Sequence, residues 1–461
     1  MRDKDLSYIE FLGFIISGLV IRALYSSFSF QVGDLESWKY FGNSLFIYHM
    51  SPFMWWSQGP LNGIPLLFFQ KINYLGLSNN PYVLSMLHHI PFIVGDIFLT
   101  AVAYKVFSLY LPEKRYFATI MVWLNPLLIF VSSVKGQTEQ YMVGFTILAL
   151  LALSTDKLAR GFFSLGCAVA VKYMPILLAP YILFTHGLNK RVVFFSFLVL
   201  APTLIGFLLM HYINVIFYHD HHFLRYFMDR AGTIFGNFVP NLGSVFVGTG
   251  SSIWGELRQA NVVDVSTLNF IKGKWLVIYA LYYVSFFSGL VISRKHVVNA
   301  SGRNKIIFLT GIYSALTLPF LLLYPQTVDH RFLNLMIPAL IGCLIMELDD
   351  LLSLLNILCI LVIFAGDIYS KGSLFLLSGL TPLACTILWI ALFIPTFMLI
   401  ANKRNFFLLL SSLVVLCSLF YLGDNNMHYL MFFMNYLLLA PWVIIFLMRA
   451  LREKINYVPN I

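Results

Sequence analysis

Charge is scarce in this chain. Only 11% of its 461 residues are Asp, Glu, Lys or Arg, against 59% that are hydrophobic. A soluble domain of this length needs far more charge to cover its surface, so the composition excludes a water-soluble fold and places the chain in a bilayer. Acids are the scarcer sign, 20 against 30 bases, for a net charge of +10. The bases stand in short loops and not in a patch interleaved with aromatics. That argues against a nucleic-acid partner and for anionic headgroups and membrane topology. Cysteine is rare too. Cys167, Cys343, Cys359, Cys385 and Cys417 show neither paired nor metal-ligand spacing, so all five read as small core hydrophobes. There is no obvious internal repeat and no long segment of soluble-domain composition, so the chain reads as one polytopic unit. The N-terminus does not read as a cleavable signal: its apolar run is long, Asp3, Asp5 and Glu10 dilute its basic region, and no small-x-small site follows.

What is present is a series of apolar runs of about 20 residues, enough to span a bilayer as helices. They lie near 8–30, 82–110, 116–133, 275–293, 306–324, 351–368, 375–401, 405–422 and 427–448, with less clear-cut ones near 139–154, 191–212 and 332–346. Residues 159–187 are broken by Lys172 and Pro175 and read as two short helices meeting at "VKYMP". The expected fold is an all-α polytopic membrane protein with roughly 12–14 transmembrane helices.

With the N-terminus in the cytosol, more than half of the 30 Lys and Arg fall in inner loops, among them Lys114/Arg115, Lys157/Arg160, Lys190/Arg191 and Arg303/Lys305. The polar clusters then fall on the outer side: "GDLESW", "KGQTEQ", "VKYMP", "HDHHFLRYF" and "TVDHRF". Two outer segments are long, 31–81 and 213–274. The first is expected to carry interfacial helices around 36–50 and 60–74, with Trp38, Trp55 and Trp56 in the headgroup zone.

Each cluster has a chemical and a plain reading. Asp34 and Glu36 could supply a base for a hydroxyl, or oxygen ligands for a divalent cation such as Mg2+ or Mn2+; otherwise they form a solvated turn with Asp34 as an N-cap. Asp96, deep in an apolar run, is expected to face the bundle interior with a Lys or Tyr partner, as a structural or site-supporting residue. Lys135, Gln137 and Glu139, around a turn at Gly136, could grip a sugar or phosphate or form an ordinary hairpin tip. Lys172 could meet a phosphate as a point charge or snorkel to the interface. His219, Asp220, His221 and His222 lack the i, i+4 partners of a zinc site, and Arg225 beside them suits an anion. Asp329, His330 and Arg331 begin an outer helix, where Arg331 suits bidentate phosphate recognition and a salt-bridged cap is the alternative.

Several of these blocks together resemble the GT-C superfamily of polytopic glycosyltransferases. They are the acidic pair in "GDLESW", "IPFIVGDIFLTAVAYK", "WLNPLLIFVSSVKGQTEQYMVGFTILAL", "VKYMPILLAPYIL" and, more weakly, "DHRFLNLMIPAL". The resemblance covers residues 20–215, with an echo at 325–345. It implies a GT-C-like N-terminal module over 1–215 including the loop 31–81, a long outer loop 216–274 and variable helices over 275–461. It also implies sugar transfer, usually inverting, from a dolichyl- or undecaprenyl-phosphate hexose, with mannose a family-level expectation. Asp34 becomes the expected catalytic base and Glu36 its companion. The chain departs from the family in carrying Glu139 where many members have Asp, and an Asp-x-Glu pair in place of Asp-x-Asp.

The expected activity is therefore transfer of a hexose from a polyprenyl-phosphate donor to a hydroxyl of a lipid-linked or membrane-surface glycan acceptor. The site is expected on the non-cytosolic side of a plasma or endoplasmic reticulum membrane. Lys172, Arg225, Arg331, His330, Lys135, Gln137 and Glu139 are the donor-binding candidates, with cations facing the developing phosphate charge. A lipid or solute transporter is the rival, since such proteins bind at broken helices, and a non-catalytic subunit of a glycan assembly complex is a third reading.

Overall fold

A computed structural model describes residues 6–29, 60–63, 75–172, 174–186, 190–218, 280–288, 302–323 and 333–347, with a few isolated positions between them. Among these there is no strand, and the chain is an all-α polytopic membrane protein. Among the described residues three helices are long and apolar enough to cross a membrane, Tyr8–Phe28, Pro81–Tyr110 and Lys190–Ile213, and a bent pair adds a fourth if it is one span.

Helix α1 (Tyr8–Phe28) starts at a capping box: Ser7 Oγ accepts from Glu10 N–H, and Glu10 returns the bond to the Ser7 backbone. Helix α2 (Pro81–Tyr110) starts with Asn80 accepting from Tyr82 N–H and with Pro81 at its first position, where a missing N–H costs nothing. The two run antiparallel. Ser85 Oγ donates to the Ser26 carbonyl at one end, and Phe11 packs on Tyr104 at the other.

The run expected as one span near 116–133 is two helices, α3 (Arg115–Trp123) and α4 (Pro126–Ser133), bent by 45° after a 3-10 turn at Pro112–Lys114. The cause is Asn125-Pro126. Proline excludes the helical conformation from the residue before it, and Asn125 caps the new helix through Leu128 N–H at 3.2 Å. Helices α5 (Glu139–Ser154) and α6 (Leu158–Val171) follow as a close hairpin. The expected break is present: Lys172 is extended, Met174–Leu178 is a 3-10 turn, and α7 (Ala179–His186) returns. Next come α8 (Lys190–Ser196), a 3-10 turn at Phe197–Val199 and α9 (Ala201–Tyr218). Residues 280–288 are helical as well, and α10 (Gly302–Leu323) and α11 (Leu333–Ile345) follow. The runs expected at 351–368, 375–401, 405–422 and 427–448 lie outside the described residues, as do 36–50 and the three tryptophans of the first outer loop.

The main apolar core joins α5, α6, α7 and α8 to α10, through Leu150, Phe162, Leu165, Tyr181, Val192, Ile312, Tyr313 and Leu316. Cys167 and Cys343 are buried and in no disulfide, in line with the expectation for these two; Cys359, Cys385 and Cys417 lie outside the described residues. The loops expected on the inner side share one end of the bundle. Lys305 reaches Asp156 at 2.7 Å, His186 lies 3.8 Å from the same carboxylate, and Lys114 lies 3.9 Å from Glu347.

Candidate functional site

At the opposite end of α5 and α6 from that basic cluster, a polar tip is built from three pieces of chain. The first is the turn between α4 and α5. Gly136 takes φ +63°, a left-handed conformation in which a side chain would be strained, and Gln137 N–H donates back to the Val131 carbonyl at 3.0 Å. The turn brings Lys135, Gln137, Thr138 and Glu139 together. A solvated hairpin tip would expose them, yet all four are buried. Lys135 lies with its Nζ 5.4 Å from the Phe130 ring centroid.

The second piece is the break after α6. Lys172 Nζ donates to Glu139 Oε1, and the carboxylate has no solvent access. Glu139 stands in the first turn of α5, where the helix N-terminus also favours a negative charge. The third piece comes from the loop expected on the outer side. Pro60–Gly63 forms a buried 3-10 turn that rests on α6 and α9, and Thr138 Oγ1 donates to Asn62 Oδ1. Leu61, Met142, Tyr141, Phe145, Ala168, Val171 and Met174 form the apolar floor beneath this tip.

Asp96 belongs to a separate cluster deeper in the bundle, and its partner is neither the Lys nor the Tyr expected. Arg22 Nε donates to Asp96 Oδ2 at 2.6 Å, and Ser132 Oγ donates to the same oxygen at 2.6 Å. Arg22 also donates to the Gly18 carbonyl at 3.2 Å and the Trp123 carbonyl at 2.8 Å, with its guanidinium 3.6 Å from the centre of the Trp123 ring. Trp123 closes the helix that Pro126 terminates, so its carbonyl is available, and Arg22 fills the bend. The indole fits because Gly18 carries no side chain: a Cβ there would stand 2.0 Å from Trp123 Nε1. Ser132 is three residues before Lys135, so this cluster braces the end of α4 on which the polar tip turns.

Helix α5 is tied to α2 just below the tip. Gln140 Nε2 donates to the Phe92 carbonyl at 2.8 Å, and the Tyr141 hydroxyl donates to the Pro91 carbonyl at 2.5 Å. Gly95 makes room for these two side chains: a Cβ there would stand 2.6 Å from Gln140 Cγ and 2.8 Å from Tyr141 Cε2.

Of the residues singled out in sequence, the structure thus gathers Lys135, Gln137, Glu139 and Lys172, and sets Asp96 beneath them. Asp34, Glu36, Arg225, His330 and Arg331 lie outside the described residues. Arg22, Asn62 and Thr138 escaped the sequence reading. The signal for Arg22 was available: an arginine inside an apolar run invites the same question as Asp96. Asn62 and Thr138 carry no such signal. Among the described residues no group of three His, Cys, Asp or Glu side chains is placed to hold a metal ion.

The described residues thus form a membrane helical bundle with a buried, charge-paired polar tip. Residues 47–186 match the family described as alpha-(1->6)-mannopyranosyltransferase, N-terminal domain, a GT-C type mannosyltransferase family. The match spans just under a third of the chain, lies within the stretch whose blocks resemble GT-C enzymes, and supports a mannosyltransferase-like glycosyltransferase. It contains Asn62, Asp96, Lys135, Gln137, Glu139 and Lys172; Asp34 and Glu36 precede it. No curated protein matches the chain.

Proposed function

We propose that the protein transfers a hexose, mannose by the sense of the family match, from a polyprenyl-phosphate-linked donor to a hydroxyl of a lipid-linked glycan. The observation that carries this reading is the match over residues 47–186, which covers every described member of the buried polar tip. The reaction would run on the non-cytosolic face of a plasma or endoplasmic reticulum membrane, the side to which positive-inside sorting assigns the tip.

In this reading Asp34 removes the proton from the acceptor hydroxyl, with Glu36 beside it. The acceptor oxygen then bonds to the anomeric carbon on the face opposite the phosphate. The bond from that carbon to the phosphate oxygen breaks, the sugar inverts, and polyprenyl phosphate leaves with its added negative charge. A phosphate is a good leaving group, so the chemistry needs a base and nearby cations more than a strong acid. Lys172, Lys135, Arg225, Arg331 and His330 are the cationic or donor candidates, and Gln137 and Glu139 are candidates to hold sugar hydroxyls. Asp34 and Glu36 are also the residues that would hold Mg2+ or Mn2+.

The test is incubation of the purified full-length protein with a panel of radiolabelled polyprenyl-phosphate sugars and short lipid-linked acceptors. Label should move from the mannose donor, and Asp34→Ala and Glu36→Ala should abolish transfer while the helical circular dichroism is kept. Full activity in both variants would remove the base assignment. Movement of donor across the membrane without covalent transfer would favour a transporter.

A further inference from the structure

Away from the polar tip, at the end of the bundle that carries Asp156, His186 and Lys305, a cavity of about 340 Å³ opens beside Lys190, Arg191, Phe194 and Phe195. Both cations are exposed, and among the described residues neither is in an ion pair, unlike Lys114 and Lys305 on neighbouring loops. The wall is aromatic. Phe194 and Phe195 meet edge to face with centroids 5.5 Å apart; Phe195 leans on the core, while Phe194 is 70% exposed.

From this cavity an exposed apolar stripe runs along the span Lys190–Ile213, through Phe194, Phe197, Leu200, Leu204 and Leu208. The steps of three and four residues keep these side chains on one face of a helix. Val192 and Val199 are buried on the other side, so the stripe points away from the described core. Two cations at the start of an apolar span, an aromatic-walled hollow beside them and an apolar track leading away make a shape with a charged head and a long tail.

We infer that this hollow is a binding site for an anionic phospholipid of the surrounding bilayer. The headgroup phosphate lies between Lys190 and Arg191, and an acyl chain follows Phe194 and Phe197 down the stripe. Arginine supplies a planar, two-pronged contact to phosphate oxygens, and lysine adds a point charge. Charge complementarity selects an anionic headgroup over a zwitterionic one, and the apolar track selects a lipid over a free anion. The site is separate from the polar tip and does not depend on the transfer reaction.

The experiment uses the full-length protein, stripped of lipid in detergent and then titrated with phosphatidylglycerol or phosphatidylcholine, with bound lipid counted by native mass spectrometry. Phosphatidylglycerol should be retained preferentially, and the double variant Lys190→Gln/Arg191→Gln should bind it roughly thirtyfold more weakly, the combined effect of two cations near an anionic surface. Phe194→Ala keeps both charges and should weaken retention of the long-chain lipid. Both variants change exposed positions, and circular dichroism confirms that they fold. Equal retention of the two lipids, or unchanged retention in the double variant, would overturn the proposal. Inorganic phosphate competing at the same concentration as the lipid would overturn it too, by showing an anion site without a tail requirement.

Discussion

Arg22 and Asp96 face each other across 2.6 Å, Nε to Oδ2, both without solvent access and 74 residues apart in the chain. Few contacts constrain a membrane bundle more. An isolated charge in a low-dielectric interior is costly, so neither side chain is tolerable without the other. Their geometry fixes α1 against α2 and, through Trp123 and Ser132, fixes both against the bend between α3 and α4.

Removing one partner should therefore be worse than removing both. Arg22→Met or Asp96→Leu alone should lower stability by about 3–5 kcal/mol, whereas the double variant should recover a large part of that loss. Thermal unfolding in detergent, followed by circular dichroism, reads the difference. Equal stability of single and double variants would mean that the pair is not coupled.

Gly18 should accept no side chain while Trp123 is in place. Gly18→Ala puts a methyl where the indole nitrogen lies, so the ring must leave its seat under Arg22, at about 1–3 kcal/mol. Trp123→Phe in the Gly18→Ala background should restore part of the loss, because the smaller ring vacates the contested space. Thermal midpoints of the two single variants and the double variant provide the check.

The Lys172–Glu139 pair separates structure from chemistry. Glu139→Gln leaves a buried amide and a lysine without its counter-charge, and Lys172→Met leaves a buried carboxylate; each should lower stability. The double variant Lys172→Met/Glu139→Gln should regain stability. Its sugar transfer should stay depressed by about 100-fold, the scale of losing one group that stabilises developing charge. Transfer that recovers together with stability would reduce the pair to a structural role.

Asn62 should act as the latch of the Pro60–Gly63 turn. Asn62→Ala removes the acceptor of the Thr138 hydroxyl and should cost about 1 kcal/mol. Amide hydrogen exchange over residues 136–139 should speed up in this variant, and KM for the donor should rise more than kcat falls. An unchanged exchange pattern would show that the loop is held elsewhere.

Much of the local structure was legible from residue order. Helix α5 begins and ends where its apolar run does, at 139 and 154, and the break at "VKYMP" falls where Lys172 and Pro175 interrupt the pattern. The bend in the 116–133 run was missed although Asn125-Pro126 spells it, because hydropathy reports composition and not backbone geometry. At the polar tip, Lys135, Gln137 and Glu139 were singled out together and Lys172 separately, but the burial of the first three was not foreseen. A polar hairpin tip looks solvated until another segment covers it, and the cover here comes from Pro60–Gly63, far away in sequence.

The amino-acid sequence by itself determined that this is a helical membrane protein, that α5 runs from 139 to 154, and that the chain breaks at Lys172 and Pro175. Those properties follow from composition, periodicity, caps and prolines, all of them local. Only the tertiary structure decided the pairings, Arg22 with Asp96 and Lys172 with Glu139. A charge within an apolar run announces that it needs a partner, because burying it alone is prohibitively unfavourable. Which residue answers depends on how the helices are laid against one another, and no pattern along the chain records that.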